Sequence, residues 1–214
     1  MIIAGNWKSN KTTAEALRWL QDFQIPIPSS ITVLLCVPFT LLYSMKEFIH
    51  THRLSIVLGA ENVSPFPEGA ETGEESARMV KDLADWVIIG HSERRKNLGE
   101  TDEVLFKKVI QAKNAGLNII YCVSDEKTPV PPHVNGIAYE PVSAIGSGIS
   151  DTPIHANTIL TPLKEKNHTR VLYGGSVTEK NINSFITQPS IDGVLVGGAS
   201  LDPKIFAALI ANAQ

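Results

Sequence analysis

The chain has 214 residues, 43% of them hydrophobic and 19% charged, enough for one large domain or two small ones around a sizeable core. A net charge of −3 and a pI near 6.1 argue against nucleic acid or an anionic membrane as partner, because both call for a basic face. No apolar run approaches the ~18 residues of a membrane helix, and Met1–Lys8 lacks the basic region and apolar stretch of a signal peptide.

Short apolar runs rich in Val and Ile alternate with helical patterns along the whole chain. Strands are predicted at Met1–Gly5, Thr32–Val37, Ser55–Ala60, Trp86–Gly90, Leu117–Val123, Gly136–Tyr139, Arg170–Tyr173 and Asp192–Val196. Most are continuously apolar rather than alternating, the pattern of parallel strands buried on both faces. After the first strand, Thr12-Thr13-Ala14-Glu15 reads as a capping box, with Leu17, Leu20 and Phe23 on one stripe. Thr72-Gly73-Glu74-Glu75 has the same spacing ahead of Ala77, Val80 and Leu83. The basic run Arg94-Arg95-Lys96 reads as the solvated start of a helix. Thr101 is expected to cap a helix carrying Val104, Leu105, Val109 and Ala112, which Gly116 ends. Asp202-Pro203 is a cap followed by a first-turn proline before Ile205–Ala213. Cys36 and Cys122 lie inside apolar runs and are expected to be buried and reduced, which fits the cytoplasm. With no C-x-x-C and no His/Cys cluster, neither a metal nor a structural zinc is expected.

Strand and helix repeated without a composition break predict one (β/α)₈ barrel spanning 1–214. An open doubly wound sheet is the alternative, but no G-x-G-x-x-G follows the first strand. One unit is irregular. Only Asp125–Gly136 separate the fifth and sixth strands, and Pro129, Pro131 and Pro132 leave no room for a normal helix. The helix after the fifth strand is therefore expected to be missing. Val130, Pro131 and Val134 should cover the barrel wall in its place.

In a parallel barrel the residues just past the C-terminal strand ends converge on one face. Here those positions hold Asn6 and Lys8, then His91, Ser92 and Glu93, then Glu140. They are followed by Gly174-Gly175-Ser176 and Gly197-Gly198-Ala199-Ser200. Singly, Lys8 could be a surface charge, His91 a capped core histidine, and each glycine pair a tight turn. Together they make a chemistry. The two glycine-rich segments offer backbone N–H groups to an anion, which suits a phosphate. Glu140, held at its strand end by Pro141, can take a proton from carbon beneath a glycine-containing segment able to act as a lid. His91 can polarise an adjacent carbonyl, and Lys8 supplies a fixed positive charge for a developing enediolate.

These residues lie within G-N-W-K at 5–8, G-H-S-E-R-R at 90–95, A-Y-E-P-V at 138–142, Y-G-G-S-V at 173–177 and D-G-V-L-V-G-G-A-S at 192–200. In type and order the motifs resemble the triosephosphate isomerase family over nearly the whole chain. The resemblance implies interconversion of dihydroxyacetone phosphate and D-glyceraldehyde 3-phosphate, without a cofactor. It implies Glu140 as base, His91 as electrophile and Lys8 as electrostatic stabiliser beside Asn6, with Glu93 in support. It also implies that backbone at Gly146, Ser176, Gly197 and Gly198 holds the phosphate. A homodimer is implied too, in which the loop Glu61–Gly73 enters the partner and Thr72 approaches the partner's Asn6.

The motifs depart from the family pattern in the lid. Ser143 stands where Trp is common and Ile149 where Lys is usual. Ser124-Asp125 replaces Gly-Glu, and the chain is shorter than the roughly 250 residues of a typical barrel of this kind. A different phosphate-binding barrel enzyme is one rival reading, disfavoured by Lys8, His91 and Glu140 in their motifs. A barrel kept as a binding protein after losing activity is another, supported only by the altered lid.

Overall fold

The structure is a computed structural model, and it describes residues 1–141 and 151–213. The order is β1 (Ile2–Asn6), α1 (Thr13–Asp22), β2 (Thr32–Val37), α2 (Phe39–His52), β3 (Ile56–Ala60) and α3 (Ala77–Leu83). Then come β4 (Trp86–Ile89), α4 (Ser92–Leu98), α5 (Asp102–Asn114), β5 (Asn118–Val123) and β6 (Gly136–Tyr139). The chain ends with α6 (Pro153–Asn167), β7 (Arg170–Tyr173), α7 (Ile182–Ile186), β8 (Gly193–Val196) and α8 (Pro203–Ala211). Every strand pairs in parallel with its neighbour in sequence, and β8 returns to β1, so the sheet closes into a barrel. The open doubly wound alternative is excluded. No helix among the described residues is long and apolar enough to cross a membrane.

The unbroken apolar runs are explained by two cores. Ile2, Ala4, Leu34, Cys36, Ile88, Ile120, Cys122 and Leu195 fill the barrel interior. Alternate residues such as Ile3, Val33, Leu35, Val87 and Ile119 point outward against the helices. On one flank Trp19 stacks on Phe23 with centroids 4.7 Å apart and meets Trp7 edge-on at 5.3 Å, while Phe206 packs against both Trp19 and Phe23. The Trp19 indole also donates to Ser200 O at 3.1 Å, tying α1 to the turn after β8.

Three of the predicted helix starts form as expected. Thr12 and Glu15 make the reciprocal capping box, Thr101 accepts from Val104 N, and Asp202 accepts from Lys204 and Ile205 N. Two readings need correction. Thr72 is not a cap: α3 starts only at Ala77, and Ser76 accepts from Met79 N. The spacing at Thr72 imitates a capping box, but the chain there is still in the loop leaving β3. The run Arg94-Arg95-Lys96 is solvated only at Lys96. Arg95 turns inward, where its guanidinium reaches Gly90 O, the Tyr121 hydroxyl, Cys122 O and, at 2.7 Å, Asp102. Arg94 pairs with Glu100 at 2.7 Å.

Residues 124–135 carry no helix, as expected. Asp125 opens this crossover by accepting from Lys127 N, Thr128 N and the Thr128 hydroxyl, bonds that hold its carboxyl below the usual range. At the far end Asn135 N donates to Ile119 O and Asn135 Oδ1 accepts from Ile119 N, docking the chain edge-on to β5. Pro131 is buried between these anchors, and Val130 and Val134 pack on the outer core.

The closing seam depends on one glycine. A Cβ on Gly193 would stand 2.0 Å from the backbone oxygen of Ile2, its partner across the β8–β1 pairing. Backbone on both sides cannot yield, so Gly193→Ala should destabilise by about 3 kcal/mol or more, at or beyond the upper end for overpacking. Gly69, with open space around it, is the control. Thermal melts should show Gly69→Ala within a few degrees of the parent, and Gly193→Ala far below it or insoluble. Equal melting of the two variants would mean that the seam tolerates a side chain.

Candidate functional site

Barrel closure brings the carboxyl ends of all eight strands to one rim, and the predicted residues meet there. Asn6 is the last residue of β1 and is buried; its side-chain oxygen accepts from Lys8 N at 3.2 Å. Lys8 itself has φ +55, a left-handed conformation unusual for a side-chain-bearing residue, held by that bond and by Asn10 N on Lys8 O. Strain of this kind gathers where a side chain must be aimed. The Lys8 ammonium meets Glu93 Oε1 at 2.5 Å.

His91 follows Gly90, whose φ of +78 turns the chain sharply off β4. It caps α4 with its own ring: Nδ1 accepts from Glu93 N at 3.2 Å. A nitrogen that accepts a backbone N–H carries no proton, so the ring proton is on Nε2. Nε2 lies 2.9 Å from Glu140 Oε1 and donates to it. The reading of His91 as only a capped histidine is half right, because one nitrogen caps and the other faces the site.

Glu140 follows β6 and is 3% exposed. Its backbone N–H donates to Val123 O, continuing the ladder, and Oε2 accepts from Ser92 N at 2.9 Å. The buried carboxylate therefore has a donor on each oxygen, and burial without such partners would be prohibitive. The Cys122 thiol hydrogen-bonds to the same carboxylate from below. Burial pushes that thiol well above its ordinary range, and Cys36 likewise, so both cysteines are inert and protonated. Gly174 leaves room for this arrangement, since a Cβ there would come 3.0 Å from Glu140 Cγ.

A cavity of about 300 Å³ opens above these groups, lined by Lys8, His91, Glu140, Ser176, Gly197 and Gly198 among others. The segment after β8 is clamped from beneath: Ser200 N and Oγ both donate to Gly197 O, and Gly5 leaves the space that Ser200 fills. A short 3₁₀ turn, Gly198–Ser200, follows. On the other glycine-rich segment, Gly175 is required because a Cβ would overlap the Tyr173 hydroxyl at 2.1 Å. That hydroxyl accepts from Asp151 N at 2.8 Å, and burial raises its pKa to about 12.

The structure thus brings together Asn6, Lys8, His91, Glu93, Glu140, Ser176, Gly197 and Gly198. Gly146 and the lid departures Ser143 and Ile149 lie outside the described residues. Motif reading overlooked the Ser92 backbone donor, although its place directly after His91 at a helix start was a signal for it. It also overlooked Arg95, which braces the His91 turn against β5, and Glu61 behind Lys8. Among the described residues no three His, Cys, Asp or Glu side chains converge as a metal site.

The triosephosphate isomerase family profile matches residues 1–131 and 132–213. The division between the two segments falls inside the helix-free crossover. A triosephosphate isomerase from Synechocystis is 41% identical over 237 aligned positions, covering 98% of this chain and 97% of that protein. Those from Gloeothece citriformis and Mesomycoplasma hyopneumoniae are each 39% identical, covering 98% and 99% of this chain and 98% of each relative. Each alignment is longer than the 214 residues here, so the relatives carry stretches that this chain lacks. With the motifs, the closed parallel barrel and these matches in agreement, the chain belongs to the triosephosphate isomerase family.

Proposed function

We propose that the whole chain works as one barrel that interconverts dihydroxyacetone phosphate and D-glyceraldehyde 3-phosphate with its own side chains. The observation that carries this reading is the contact of His91 Nε2–H with Glu140 at 2.9 Å, at the wall of a cavity that also holds Lys8, Gly197 and Gly198. The phosphate sits against backbone N–H groups of Ser176, Gly197 and Gly198, joined by Gly146 from the lid. This places the carbon chain toward His91 and Glu140. The Glu140 carboxylate leaves Ser92 and takes a proton from the carbon beside the carbonyl. His91 Nε2–H donates to the carbonyl oxygen, and Lys8, aligned by Glu93 and Asn6, balances the enediolate charge. Return of that proton to the neighbouring carbon, with the adjacent hydroxyl's proton passing to the former carbonyl oxygen by way of His91 Nε2, completes the conversion.

A neutral donor suits this step, because a hydrogen bond to the developing oxyanion strengthens as charge forms. Such preorganised donors are commonly worth about 3–4 kcal/mol. A retained but inactive barrel is the weaker reading, since every residue assigned to chemistry is present. The triose phosphates connect the enzyme to glycolysis and gluconeogenesis, and two buried protonated thiols fit a reducing cytoplasm.

The same reading includes a homodimer formed through the loop from Glu61 to Gly73. Glu68 and Arg78 make a two-bond pair at 2.6 and 2.8 Å across the base of that loop, and Phe66 stands 43% exposed on it. A separate cavity of about 590 Å³ beside Asn6 and Lys8, bounded by Glu61, Phe39 and Leu98, offers a matching recess for a second copy.

Glu140→Gln should keep the fold and phosphate affinity while lowering turnover at least about 10²-fold, in a coupled assay of glyceraldehyde 3-phosphate conversion. Undiminished turnover would remove Glu140 as base. Sedimentation of the parent should give twice the 23.3 kDa chain mass, and Phe66→Asp should shift it to the single mass. A parent that sediments as one chain at micromolar concentration would refute the dimer.

A further inference from the structure

Ser200 is a fully buried hydroxyl residue that no step above uses. It ends the short turn after β8, beneath the part of the cavity wall that Gly197 and Gly198 form. Two of its groups reach one atom: the backbone N–H donates to Gly197 O at 2.9 Å and the hydroxyl donates to it at 2.7 Å. Ser200 is itself held from two sides. Its carbonyl accepts from the Trp19 indole at 3.1 Å, and its Cβ lies over Gly5, where an added Cβ would stand 2.9 Å away. A serine hydroxyl turned back onto a nearby carbonyl is ordinary where it closes a turn. Here the turn is closed without it, since the Ser200 N–H already makes the i to i−3 bond.

What the hydroxyl adds is a hold on a peptide plane. The unit joining Gly197 to Gly198 is rigid and trans, so its C=O and N–H point in opposite directions. The oxygen is drawn down onto Ser200, and the Gly198 N–H therefore points away from it, toward the cavity that Gly198 lines. Among the described residues no acceptor takes that N–H. Little else restrains the plane. The ψ of −107 at Gly197 is far from the roughly +115 of a parallel strand, so the unit has left the β8 ladder. A side chain cannot steady it either, because glycine stands on both sides and the space beside Gly198 is open.

We propose that Ser200 is a positioning residue for the phosphate: its hydroxyl fixes the peptide between Gly197 and Gly198, so that the Gly198 N–H already faces the anion before it arrives. The inference rests on the reading of this cavity as the phosphate site. A donor aimed in advance needs no ordering when the ligand binds, so the hydroxyl contributes to affinity without touching the ligand. Ser200, Trp19 and Gly5 do not line the recess assigned to a second copy, and the clamp is made within one chain.

Ser200→Ala tests it, because alanine keeps the N–H on Gly197 O and removes only the hydroxyl. Sulfate reads the anion site without turnover. In calorimetry the variant should bind sulfate about three- to tenfold more weakly than the parent, the range for the net worth of one hydrogen bond. Two substrates then separate aiming from general damage: D-glyceraldehyde 3-phosphate, and D-glyceraldehyde, which has the same reacting carbons and no phosphate. For the first, kcat/KM should fall by a similar factor, while for the second it changes less than about twofold. Equal losses on both substrates, or an unchanged sulfate affinity, would overturn the proposal. Should the alanine variant not fold, Ser200→Cys makes the same comparison, since its thiol is close in size and a weak donor. A parent that binds sulfate yet converts neither triose would sink the isomerase reading alone, and the sulfate comparison would still decide the role of Ser200.

Discussion

Closure of the parallel sheet is the constraint from which the site follows. Parallel strands must all enter from one end, so their carboxyl ends share a rim whatever their sequences. The rim is complete only because β8 returns to β1, and that seam exists only because Gly193 lets the Ile2 carbonyl approach. The consequence reaches the chemistry. Gly197 is four residues beyond Gly193 and Lys8 six beyond Ile2, and an added Cβ on Gly197 would lie 3.5 Å from Lys8 Cε. Residues nearly 190 positions apart in sequence are neighbours because one backbone contact is close.

The second constraint is electrostatic. Glu140 is almost fully buried, and a carboxyl enclosed in this way needs a hydrogen-bond donor for each oxygen. The solution is two donors of unlike kind: a backbone N–H from Ser92, fixed by the start of α4, and the ring N–H of His91. The same helix start sets the histidine tautomer, since Glu93 N donates to Nδ1. One short helix therefore fixes both the resting place of the carboxylate and the proton on the imidazole. Arg95, one turn along, anchors that helix to Gly90 O, Tyr121 and Cys122 O. Its inward turn explains why a basic run that looked solvated belongs to the structure.

Much of this was legible in the residues, for reasons that can be named. All eight strands lie within a residue or so of where continuous apolar runs placed them, because strands buried on both faces leave no ambiguity of period. Caps at Thr12, Thr101 and Asp202 were readable because their chemistry is local. Thr72 misled for the same reason: a four-residue pattern says nothing about whether the chain behind it has left a loop, and Ser76 was the true cap. The rim residues were legible as a set, through order and spacing. What could not be read was which atom faces which. Neither the inward course of Arg95 nor the enclosure of Glu61 behind Lys8 follows from sequence, since both depend on contacts between distant strands.

The helix-free crossover shows how the barrel separates wall from rim. A helix normally covers the outer face between adjacent strands, and its loss would leave apolar residues and ladder groups facing water. Here the two functions are divided among a few residues. Val130, Pro131 and Val134 cover the wall, while Asn135 supplies both a backbone donor and a side-chain acceptor to Ile119. At the rim end, Asp125 closes a turn on itself and needs nothing from the missing helix. β6 therefore begins in register with β5, Ile120 opposite Gly136 through Val123 opposite Tyr139. That register continues into the bond from Glu140 N to Val123 O. The position of the carboxylate depends on the strand pairing and not on what covers it, which is why a barrel can shed a helix beside Glu140 and leave its donors in place.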